Sequence, residues 1–200
     1  MKLILLLVMV VGAPALGQHR NFHKKGVKKE NVYVRNAVGV VSHSIETSEG
    51  NSEEVTTERF NGRTLSVGIG LDLYRAFQLS ADYTSMDSRS TKSGTNALDG
   101  SMISVGGRFV FFSPISNFYV GGGAVGAIHS HQKDDNVQDI HETGQYLDLG
   151  LNRFLMETVS IFGETRISKS KLKSQGNNEK YAFGEGSARS VSIGVNLWSE

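Results

Sequence analysis

The sequence predicts an all-β protein, an eight-stranded antiparallel up-and-down transmembrane β-barrel. Three observations carry that expectation. Eight runs of period-two alternation lie between Asn31 and Trp198. The connections between them alternate in length, long near 44–63, 87–100, 130–143 and 169–187 and short near 74–76, 113–117 and 155–158. Strands of about ten residues joined in this way describe a closed barrel with tight turns on one rim and long loops on the other. Finally, beyond the first residues no segment reaches the roughly 18 consecutive apolar residues of a spanning helix, so any bilayer crossing must be made by strands.

Residues 1–17 read as a cleaved signal peptide. Lys2 supplies the charged start, Leu3 to Val11 the apolar stretch, and Ala13-Pro14-Ala15-Leu16-Gly17 the small-residue cleavage region. Residues 18–30 form a basic periplasmic segment carrying Arg20, Lys24, Lys25, Lys28 and Lys29, and residues 31–200 form the barrel. Removing the leader leaves 20 basic against 20 acidic side chains, which argues against a nucleic-acid partner. The chain has no cysteine, so neither disulfides nor thiolate metal sites are available. Barrel closure is then the means by which an exported all-β chain satisfies its strand edges.

The first strand places Val32, Val34, Val38 and Val40 on one face, although Asn36 interrupts it. The second is the clearest, with Leu65, Val67, Ile69, Leu71 and Leu73 alternating with Ser66, Gly68, Gly70 and Asp72. An apolar face backed by a small or polar one suits a wall between lipid and a polar lumen. The third strand directs Leu79, Ala81 and Tyr83 outward and Ser80, Asp82 and Thr84 inward. The fourth directs Ile103, Val105, Phe109 and Phe111 outward against Gly106 and Arg108. Glycine leaves the register of the fifth, Phe118 to Ile128, open. The sixth opposes Leu147, Leu149 and Leu151 to Asp148, Gly150 and Asn152. The seventh opposes Val159, Ile161 and Ile167 to Ser160, Glu164, Arg166 and Ser168, and the eighth Val191, Ile193, Val195 and Leu197 to Ser190, Ser192, Gly194 and Asn196.

Aromatic residues gather at the short-turn rim. Tyr74, Phe77, Phe111, Phe118, Phe154 and Trp198 are expected to form a girdle where hydrocarbon meets headgroups, with Tyr33, Phe112 and Tyr119 close by. With its leader, eight strands, glycine-rich fifth strand, turn-flanking aromatics and terminal Val195-Asn196-Leu197-Trp198, the chain resembles the OmpA/OmpX-type small outer-membrane barrels from about residue 31 onward. The resemblance implies a place in the outer membrane of a Gram-negative cell, contact with lipid and lipopolysaccharide, and insertion by the assembly machinery through the terminal strand.

Gly121-Gly122-Gly123-Ala124-Val125-Gly126 matches a dinucleotide fingerprint in letters alone, because no helix pattern follows it. The glycines are instead expected to let neighbouring strands or a lumen side chain approach closely. His43, His129 and His131 fall at the expected long-loop rim, near Asp134, Asp135, Asp139 and His141. His129 and His131 share a face, as two imidazole ligands of Zn²⁺ would. With no recognisable nucleophile, base and orienting group around them, the histidines are read as solvated loop residues, with no catalytic residue, metal or cofactor assigned.

The lumen charges are the most constrained feature. Asp82 and Arg108 each lie about five positions from their periplasmic turn, Asp148 and Glu164 at similar depth, and Arg166 one inward position higher. Unpaired burial would cost several kcal/mol each, so a mutual network anchored by Arg108 is expected. The resulting reading is a non-enzymatic outer-membrane barrel whose long polar extracellular loops support envelope integrity or meet an external partner. The alternatives are a lipid-modifying enzyme using the rim histidines and a narrow gated pore.

Overall fold

The computed structural model describes residues 32–49, 54–74, 76–111, 116–133, 136–156, 158–174 and 181–199. The leader at 1–17 and the basic segment at 18–30 lie outside the described residues, as do Phe112, Asp134, Asp135 and the Tyr74 side chain. Eight antiparallel strands follow in chain order: β1 (Val32–Glu49), β2 (Val55–Tyr74), β3 (Phe77–Ser90), β4 (Ala97–Phe111), β5 (Asn117–Lys133), β6 (Asn136–Phe154), β7 (Val159–Ser174) and β8 (Tyr181–Trp198). Each pairs with its sequence neighbours, and β8 closes on β1, with Tyr33 opposite Trp198 and Val40 opposite Val191. Past the last ladder pair, Ser199 N–H donates to the Val32 carbonyl at 2.8 Å.

The short connections fall where the alternation places them, but the long polar loops do not exist at the expected length. The segments 44–63, 87–100, 130–143 and 169–187 are mostly strand, and the strands run from 14 to 20 residues. An 18-residue strand is about 60 Å long. At a tilt of roughly 40° it rises about 45 Å along the barrel axis, whereas an apolar band needs about 25 Å. The barrel therefore continues well beyond the bilayer.

The physical reason these segments resemble loops is an inversion of polarity along the barrel axis. In the half near the short turns, apolar side chains point outward. Leu65, Ile103, Leu147 and Leu149 are 59 to 70 % exposed, which only a lipid surround makes favourable. Toward the other rim the alternation persists while its sides exchange. Arg59, Asp87, Arg89, Lys171 and Lys173 face outward, and Ile45, Phe60, Leu98, Ile140 and Leu172 are buried inside. That half is built as a water-soluble barrel is, around an apolar core completed by Val41 and Met86. A register shift in β8 opposite Ile45–Thr47 lets Tyr181 and Phe183 join that interior, although their parity differs from that of Gly186 and Ala188.

Candidate functional site

The interior is layered, and each layer follows from the inward parity of the strands. At the short-turn end lies an aromatic floor. Trp198, expected in the outward girdle, is 7 % exposed and faces inward. Its ring stacks on Tyr33 at 4.5 Å and Phe154 at 5.3 Å, and its Nε1–H donates to Ser160 Oγ at 2.8 Å. The indole takes the phase of Asn196, opposite to Leu197, so it fills the barrel end rather than the headgroup belt. Tyr33 and Tyr119 are buried with it. Of the expected girdle, Phe111 and Phe118 do face outward, and Phe77 packs against the outward Phe109 at 5.2 Å.

Above the floor the structure brings together Asp82 of β3, Arg108 of β4, Asp148 of β6, and Glu164 and Arg166 of β7. It adds Arg35 of β1, which the sequence reading missed. Arg108 donates from Nε and Nη2 to Asp148 Oδ2 at 3.1 and 3.0 Å, and from Nη2 to Glu164 Oε2 at 2.9 Å. Arg166 Nη2 reaches Asp82 Oδ2 at 3.2 Å and Glu164 Oε1 at 3.3 Å, while its Nη1 donates to Ser104 Oγ at 2.9 Å. Arg35 Nη2 lies 2.9 Å from Glu164 Oε2, which also accepts from Tyr119 O–H at 2.8 Å. Three guanidiniums thus meet three carboxylates in a buried layer, and Arg108 is not its only mid-strand cation. The missed signal was parity, because Arg35 alternates inward between the outward Val34 and Asn36.

Each guanidinium also faces an aromatic ring: Arg35 over Phe162 at 4.0 Å, Arg166 over Tyr146 at 4.2 Å and Arg108 over Tyr119 at 5.0 Å. Such contacts hold the planar forks in place while the carboxylates take their N–H groups. Glycine in β5 makes this possible, because a Cβ on Gly121 would collide with Asp148 Oδ1 and Arg108 Cγ. The dinucleotide-like letters therefore sit in an uninterrupted strand and clear space for an ion pair.

The histidines depart from expectation most. His43, His129 and His131 are not solvated loop residues; they face inward from β1 and β5 and are 1 to 2 % exposed. Continuation of the strands beyond the bilayer turned expected loop positions into lumen positions. His129 Nε2 lies 2.6 Å from Glu142 Oε2 of β6, and His43 Nε2 approaches the same oxygen at 3.6 Å. The two imidazoles meet edge-on at 5.4 Å. His131 does not join them. It points one layer higher, among Phe60, Tyr181 and Phe183, with Glu58 Oε2 at 3.9 Å. Asp139 and His141 face outward and are exposed. Between the histidine layer and the charge layer lies a cavity of about 60 Å³, lined in part by Thr64, Thr84, Met102 and Ser190.

No protein-family model and no curated protein matches the chain. Solved structures do. The neisserial surface protein NspA superposes with a TM-score of 0.56 at 13 % identity, over 81 % of this chain and 96 % of that one. The outer-membrane protein OprG of Pseudomonas aeruginosa superposes with a TM-score of 0.57 at 9 % identity, over 88 % and 98 %. The chain has the fold of the small outer-membrane β-barrels. In such barrels the short turns face the periplasm and the opposite rim faces the outside. By that rule the apolar-filled half is the one that would project from the outer leaflet.

Proposed function

We propose that this barrel is a non-enzymatic outer-membrane protein that conducts no solute and acts from its outer surface, supporting envelope integrity or contact with an external partner. The observation that carries this reading is the double closure of the interior, by the ion network at mid-barrel and by the apolar core above it. An eight-stranded interior is just wide enough to be filled by side chains, and here they close the lumen on either side of the cavity of about 60 Å³. A lipid-modifying reaction needs a histidine open to lipid or water, and the three inward histidines are buried.

What remains accessible is the exterior. Lys169, Lys171 and Lys173 form an outward row on β7 directly above Ile167 of the apolar band, with exposed Arg189 opposite Ile167 on β8. Amines at that height suit the phosphates of lipopolysaccharide, and β8, which closes the ladder on β1, is the strand the assembly machinery would engage. The test pairs planar-bilayer recordings of the refolded barrel with dye permeability of cells lacking it. We expect no unitary conductance, and a permeability defect that the wild type restores and a Lys169→Glu/Lys171→Glu/Lys173→Glu variant does not. Steady unitary conductance would replace this reading with the pore, and an altered lipid A species in the deletion strain would replace it with the enzyme.

A further inference from the structure

The geometry points to a divalent transition-metal site inside the projecting half, formed by the imidazoles of His43 and His129 and the carboxylate of Glu142. The three groups come from β1, β5 and β6, so the site bridges opposite walls of the barrel. One ligand atom from each lies within 4.8 Å of the others. In a tetrahedral site with bonds of about 2.0–2.1 Å, ligand atoms stand about 3.3 Å apart. His129 and Glu142 are already closer than that at 2.6 Å, and His43 at 3.6 Å from Glu142 is almost in place. Small side-chain rotations would spread the first pair around an ion and complete the set.

Two further observations point to a ligand. Both ring nitrogens of His43 and Nδ1 of His129 are buried with no hydrogen-bond partner. Nε2 of His43, which faces Glu142, is the orphaned atom that points to a ligand, and a metal ion is what two imidazoles and a carboxylate take in common. The second observation is charge. In the layer below, Arg35, Arg108 and Arg166 balance Asp82, Asp148 and Glu164, which leaves none of that positive charge over for Glu142. Among the described residues, the ion-pair partners of Glu142 are the two imidazoles.

The adjoining cavity of about 60 Å³ has room for a water to fill the fourth position, beside the hydroxyls of Thr84 and Ser168. Two nitrogens and one oxygen favour Zn²⁺ and its first-row neighbours over Ca²⁺ or Mg²⁺, which take mainly oxygen. An ion held there would tie β1 to the β5–β6 pair across the lumen, as a staple placed where the wall has left the bilayer. Because the site is closed, the ion enters as the barrel folds.

The test uses the full mature chain, unfolded in urea with chelator, refolded into detergent with or without Zn²⁺, dialysed, and assayed for bound metal. Folding is checked by gel migration before and after boiling. We expect about one Zn²⁺ per folded barrel, with Co²⁺ in its place giving the visible absorption of a four-coordinate site. His43→Gln and Glu142→Gln should lose more affinity than the roughly 10–100-fold typical of removing an outer-shell partner. His131→Ala, one inward position above His129, should bind as the wild type does. A folded wild type without stoichiometric metal overturns the proposal, whether or not the variants fold. So does binding that His43→Gln leaves unchanged, which would mark adventitious sites, with the cluster then a buried imidazole–carboxylate ion pair.

Discussion

Replacing Arg108 by alanine tests the charge layer directly. Arg108 makes two hydrogen bonds to Asp148 and one to Glu164, and its guanidinium lies 5.0 Å from the Tyr119 ring. The variant leaves Asp82, Asp148 and Glu164 facing only Arg35 and Arg166. One carboxylate charge is then uncompensated in a layer where these side chains are 10 % exposed or less. Breaking a buried pair from one side costs about 3–5 kcal/mol, most of it the penalty on the partner left behind. Removing that partner as well should recover much of the loss, so Arg108→Ala/Asp148→Ala should be less destabilised than the sum of the single variants by about 1–3 kcal/mol. The assay is equilibrium urea unfolding of the refolded barrel, followed by fluorescence of the single tryptophan, Trp198, in the floor beneath the network. Conductance should remain absent, because the apolar core above is untouched. If Arg108→Ala falls within about 0.5 kcal/mol of the wild type and the cycle shows no coupling, the charges are hydrated and the layer is not a packed network.

Two other outcomes follow from the same geometry. Gly121→Val should destabilise the refolded barrel by about 1–3 kcal/mol, because its side chain occupies the space of Asp148 Oδ1 and Arg108 Cγ; the same substitution at the open position Gly126 is the control, and equal effects at both would refute the close-approach argument. Because the chain has no native cysteine, single-cysteine labelling of intact cells can map the polarity inversion. A membrane-impermeant maleimide should modify Lys171→Cys and spare the lipid-facing Ile193→Cys, and labelling of neither in intact cells, with Lys171→Cys labelled after the outer membrane is opened, would invert the assigned orientation.

Strand order, short turns and the lipid-facing surface were legible in the sequence, because period-two alternation and turn length are local properties. Leu65, Val67 and Ile69 announce an outward face with no knowledge of their neighbours. The glycine run of β5 announced close approach, though not what approached. Three things were decided only by the closed tertiary structure. One was the height of the wall. Beyond the bilayer the same alternation carries its apolar residues inward, and from sequence alone a segment such as Ser85-Met86-Asp87-Ser88-Arg89 reads as polar loop. Another was the destination of the terminal aromatic, since the phase of Trp198 is meaningful only once β8 has closed on β1. The third was company within the lumen. Barrel closure brings Arg35 of β1 to Glu164 of β7, and His43 of β1 to His129 and Glu142 of β5 and β6. Parity tells which side chains enter the interior, but shear and circumference determine which of them meet.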